Sequence, residues 1–178
     1  MEGSYEEERY YLENLIGESM EDYLQLLEES LVRKIKVLDK IEEFDLKQKD
    51  VLSSDDATPD FEKFDSYIEE KGKLIDELNS LDDGFEALYE RVADTLKSDI
   101  PGNASKIRKL QELIREITDK SVEIQKQEAE NKALVEKYFR SARGGIGKGR
   151  NSLNAAYSYF QAQRGISGAD SLYVDSKQ

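Results

Sequence analysis

The stretch Gly144-Gly145-Ile146-Gly147-Lys148-Gly149 comes nearest to a chemical motif, because glycines followed by lysine are the raw material of a phosphate-binding loop. That loop needs a glycine, four residues, then Gly-Lys-Ser/Thr, all following a strand. Here Ala142 stands at the first glycine position, Gly149 follows the lysine, and no strand pattern precedes it. The stretch reads as a flexible basic linker, and no nucleotide is expected on it. Carboxylates are plentiful, as at Glu28-Glu29, Glu42-Glu43 and Asp82-Asp83. Acid-base work by such pairs needs one group forced towards neutrality by burial, and these pairs fall mostly on polar helix faces. A carboxylate-bridged di-metal bundle uses Glu-x-x-His motifs, and the chain has no histidine. It has no cysteine either, which removes thiolate nucleophiles, thiolate zinc sites and disulfides. No catalytic, cofactor or metal residue can be named, and the expectation is a protein that is not an enzyme.

Attention therefore moves to the elements. Of 178 residues, 38% are apolar and 37% charged, a balance that suits long solvated helices with narrow apolar seams. The only prolines, Pro59 and Pro101, sit where long periodic segments meet. In the first segment Met20, Leu24, Leu27, Leu31, Leu38 and Ile41 follow three-four spacing, and Ile35 and Phe44 widen the stripe. Lys34 and Asp45 break it. The second segment places Phe61, Phe64, Ile68, Ile75, Leu78, Phe85, Tyr89, Val92 and Leu96 on one seam, interrupted only by Lys71 and Asp82. The seam keeps its phase across Gly84, so one continuous helix is predicted there. The third carries Ile107, Leu110, Ile114, Ile117 and Ile124. Its seam then fades at Glu128 and Asn131, a stretch not expected to bury well alone, before Val135 and Tyr138 restore it.

The breaks are equally legible. After Ser53-Ser54-Asp55-Asp56-Ala57, Thr58 is placed to cap a helix whose first position is Pro59. Pro101 holds Ile100 extended, and Asn103 or Ser105 can cap the third helix. The predicted fold is all-α: an up-down-up antiparallel bundle of helices at about 18–52, 59–97 and 105–140, each roughly 50 to 60 Å long. Residues 1–17 form an acidic extension, and residues 141–178 form a glycine-rich basic linker with an aromatic tail. A hairpin with narrow seams leaves apolar surface that a third helix, a second copy or a client must cover.

A net charge of −13 opposes binding to nucleic acid or anionic membrane, and no apolar run approaches the ~20 residues needed to span a bilayer. Met1 to Arg9 are acidic rather than basic-then-apolar, unlike a signal peptide, so the cytoplasm is the expected location. The charge is uneven: Glu2 to Glu29 holds one basic residue, Arg9, whereas Arg140 to Arg164 holds five basic residues and no acidic one. Such asymmetry fits tails that meet partners or each other, and equally fits solvated charge. Tyr157, Tyr159 and Phe160 lie beyond the glycine linker, as a docking motif, as a segment packing back on the bundle or as a disordered tail.

The stretch Met20-Glu-Asp-Tyr-Leu-Gln-Leu-Leu-Glu-Glu29 resembles the opening helix of the FlgN-type flagellar export chaperones. Phe61 to Leu78, with its Ile68-Glu-Glu-Lys71 core and Leu74-Ile-Asp-Glu-Leu78, followed by Leu81-Asp-Asp-Gly-Phe85, is similar to that family's second helix. Tyr157-x-Tyr159 and Tyr173-Val-Asp175 look like its C-terminal end, so the resemblance runs from Met20 to the C-terminus. It implies a cytosolic chaperone of a specialised type III secretion system that binds the C-terminal amphipathic helices of hook-associated proteins, prevents premature assembly and delivers them to the export gate. On that footing a client helix completes the third seam, making Ile107, Leu110, Ile114, Ile117, Ile124, Val135 and Tyr138 the candidate client-binding residues. The family's C-terminal gate-docking aromatic points to Tyr157, Tyr159 and Phe160. The alternatives are a self-associating coiled-coil adaptor, which would form a homo-oligomer, and a protein that sequesters a regulator.

Overall fold

The computed structural model describes residues 3–54 and 59–141, with side chains over 20–54 and 59–140. It consists of α1 (Gly3–Ser53), α2 (Phe61–Ser98) and α3 (Ala104–Ser141), with no strand among the described residues. Long helices form because apolar residues recur every three or four positions and no proline falls inside any of the three. α1 starts far ahead of the point where its seam becomes periodic. No proline separates the acidic N-terminal stretch from the seam, and extending an existing helix is easy once it is nucleated, even through Gly17. Its 51 residues span about 77 Å, against about 57 Å for each 38-residue partner.

Local chemistry fixes both reversals. The first differs from the Thr58-Pro59 reading. Asp60 is the N-cap, its carboxylate accepting from the Lys63 amide at 3.1 Å, and Pro59 lies before the helix. Thr58 falls outside the described residues. At the second reversal the Gly102 amide donates to Asp99 Oδ1 at 3.1 Å, while the Asn103 side chain donates to the Asp99 carbonyl at 3.0 Å. A Cβ on residue 102 would sit 2.1 Å from Asp99 Oδ2, so a larger residue there would make the Asp99 side chain shift. The Asn103 carbonyl accepts the first α3 bond, from Ile107 at 2.9 Å.

Cross-helix pairs establish the topology. Arg33 meets Glu77 at 2.9 Å and the Phe44 ring meets Tyr67 at 5.8 Å, so α2 runs antiparallel to α1. Lys106 meets Glu21, Lys120 meets Asp39 and Lys49 meets Glu130, so α3 runs parallel to α1. α1 packs against both partners, whereas no Cα of α2 comes within 8 Å of one in α3 among the described residues.

Sixteen buried apolar side chains make the main core, led by Leu24, Leu27, Leu31, Leu38 and Ile41 of α1. Val37 and Leu113 belong to it although neither stands out from the sequence. A second, small cluster pairs Phe64 with Val135, flanked by Val51, Leu52, Ile68 and Phe139. Tyr89 departs from expectation: it is 36% exposed and stacks on the outside of Phe85 at 6.2 Å. From Phe85 the buried path steps seven residues to Val92 rather than four, since a 3.6-residue period drifts against a fixed seam.

Candidate functional site

Between the two apolar clusters, every helix contributes a polar residue where the seam would call for an apolar one. α1 supplies Asp45 and Gln48, α2 supplies Lys71, and α3 supplies Glu128 and Asn131, all buried. The Lys71 ammonium has three N–H groups, and they find three acceptors. Nζ donates to Asp45 Oδ1 and Glu128 Oε1 through short bonds and to Gln48 Oε1 at 2.7 Å. Asn131 Nδ2 donates to the Asp45 main-chain carbonyl at 2.9 Å, and Asn131 Oδ1 accepts from Gln127 at 3.0 Å. This network crosses all three helices.

Two carboxyls and one ammonium cannot all be charged cheaply in a layer without water. Burial, then a hydrogen bond with the Glu128 carboxyl, push Asp45 up to about 9 against the pull of the Lys71 ammonium. At neutral pH the Asp45 carboxyl is therefore held towards its protonated form. A second seam pair lies nearer the other end: Lys34 Nζ donates to Asp82 Oδ1 at 2.6 Å. Asp45 and Glu128 are buried, whereas Asp82 is half-buried. Their chemistry is that of register, since any slip of one helix leaves a buried charge unpaired.

The seven client candidates do not form one open face. Leu110, Ile117 and Ile124 belong to the main core and Val135 to the small cluster, while Ile107, Ile114 and Tyr138 are half-buried. Tyr138 joins an aromatic group where α3 ends beside the start of α2, 5.0 Å from Phe61 and 5.5 Å from Phe139. The fading third seam is not left unfilled: Glu128 is 2% exposed and Asn131 0%, because Lys71 and Asp45 meet them. Each residue of this layer except Gln48 was visible in the sequence as a seam breaker. What periodicity within one helix could not supply was their mutual pairing.

Among the described residues no cluster of three or more acidic, histidine or cysteine side chains is placed to hold a metal, and no helix is long and apolar enough to cross a membrane. Tyr157, Tyr159, Phe160 and the Gly144–Gly149 stretch lie outside the described residues.

A family model described as "FlgN protein" matches residues 20–155. The match starts at Met20, where the resemblance begins. It stops short of Tyr157 and Tyr173, so the C-terminal part of that resemblance falls beyond it. Neither a curated protein nor a solved structure matches the chain.

Proposed function

The chain belongs to the FlgN family, and from that premise we propose that it holds the C-terminal amphipathic helices of hook-associated proteins in the cytoplasm and hands them to the export gate. The family is one of flagellar export chaperones, whose members bind hook-associated proteins; the helical nature of the bound segment and the delivery step are our reading. The observation that supports it is the first half of α3, where half-buried Ile107 and Ile114 lie at the edge of the main core. No Cα of α2 comes within 8 Å of one in α3 among the described residues, and the side-chain contacts between them from Lys71, Phe61 and Phe64 fall in the other half of α3. A client helix lying beside α3 completes the burial of such an edge in a helix-in-groove mode. The buried candidates Leu110, Ile117, Ile124 and Val135 then serve the client by holding α3 in place. No step of this work requires catalysis or a cofactor.

Coexpression with the C-terminal helix of a hook-associated protein tests the reading. A stoichiometric complex is expected. Ile114→Asp should weaken it with little loss of helicity, whereas Ile117→Asp should disturb the bundle itself. A chain that forms a stable homodimer and ignores every such helix would favour the self-associating adaptor instead. The Tyr157, Tyr159 and Phe160 tail is proposed as the gate-docking element, and its loss should spare client binding.

A further inference from the structure

On each helix the polar layer lies between the main core and the small cluster. Along α1, Ile41 is followed by Asp45 and Gln48 and then by Val51 and Leu52. Along α2, Phe64 and Ile68 precede Lys71, which precedes Ile75. Along α3, Ile124 is followed by Glu128 and Asn131 and then by Val135. The main core holds sixteen buried apolar side chains and the small cluster two, Phe64 and Val135. No fully buried apolar side chain bridges the layer, whose own side chains bond to one another; half-buried Ile68 alone among the described residues packs against both clusters. Cooperativity in a helical bundle is carried by continuous apolar contact between helices, so a polar layer is a natural boundary between units of different stability.

We infer that the bundle end beyond the polar layer is a separate opening unit. It comprises the last turns of α1 after Gln48, the first turns of α2 before Lys71 and the last turns of α3 after Asn131. This unit unlatches while the main core stays folded. Opening frees Phe61, Phe64, Val135, Tyr138 and Phe139 together, because the aromatic group of Phe61, Tyr138 and Phe139 sits on this side of the layer. The layer has two consequences. It weakens the coupling between the two ends, and it restores one register on closing, since only one alignment returns Lys71 to all three acceptors. That this end admits a client helix would rest on the chaperone reading; the opening itself does not.

Native-state hydrogen exchange on the full chain at increasing sub-denaturing urea tests this without any client. Amides at 49–53, 62–68 and 132–138 are expected to converge on one opening reaction with a shared, intermediate urea slope. They should be at least about 100-fold less protected than amides at 27–38 and 113–124, which track global unfolding. Simple fraying of helix ends gives graded protection and no urea slope, and that result overturns the inference. So does a single isotherm covering both ends. A second arm replaces the layer by Asp45→Leu, Gln48→Leu, Lys71→Met and Glu128→Leu, joining the two clusters. If this variant is folded and monomeric, the difference in protection between the ends should fall at least about tenfold. An unchanged difference shows that the layer is not the boundary. Should the variant misassemble, the exchange pattern of the natural chain decides alone.

Discussion

Replacing Asp45 by asparagine isolates the protonation on which the polar layer depends. Asparagine has the shape of the protonated acid, and its amide can accept from Lys71 and donate to Glu128, but it does not titrate. In the natural chain Asp45 is raised from 3.8 to about 9 by burial and by Glu128. Between those limits the folded protein holds a proton that the unfolded chain has released. The contribution is fully present below about pH 4, declines through the neutral range and is lost as pH passes about 9. Within that window the slope is about 1.4 kcal/mol per pH unit. From pH 6 to pH 8 the Asp45→Asn chain should therefore gain about 3 kcal/mol on the natural one, equivalent to roughly 6 to 12 °C in Tm at this chain length. Urea unfolding monitored by circular dichroism at pH 5, 6, 7, 8 and 9 reads the difference directly. Titrations shared by both chains, such as Glu43 lowered by its hydrogen bond to Lys47, cancel in it. Parallel curves would refute the reasoning. Parallel curves over this range are what an Asp45 ionised beside Lys71 would give.

Other parts of the molecule give three further expected outcomes. Lys71→Met removes the common donor of the layer and leaves its acids facing each other. The expected cost is about 3 to 5 kcal/mol at pH 7, read as a lower urea midpoint; an unchanged midpoint would show that the layer does not need its donor. Gly84 lies inside α2 with no atom within 4 Å of where a Cβ would stand, so Gly84→Ala should raise stability by about 1 kcal/mol and Tm by ~2–4 °C; a lower Tm in thermal melts would mean that the helix needs glycine there. Tyr157→Ala with Tyr159→Ala should leave Tm and client capture unchanged while weakening pull-down by the cytosolic domain of the export gate; a large fall in Tm would place these rings in the core.

The three helices, their seams and their two reversals could be read from the chain because each depends on residues only a few positions apart. Spacing fixes a helical face, and Asp60 or the Asp99–Asn103 turn acts within its own neighbourhood. The extent of α1 was less legible: periodicity marks where a seam begins to bury, while a helix continues until something stops it. Tyr89 sits outside its expected seam for a related reason, since a few degrees of drift per turn decide which of two neighbours enters the core. The sequence also exposed Lys34, Asp45, Lys71, Asp82, Glu128 and Asn131 as exceptions, each a flaw in its own seam. Only the tertiary structure turned them into complements. Lys71 meets Asp45 across 26 positions of chain and Glu128 across 57, because α2 runs against α1 while α3 runs with it. That alignment sets which charges are buried together, and hence which proton Asp45 keeps. Pairing of this kind is a property of register between helices, and no single helix contains it.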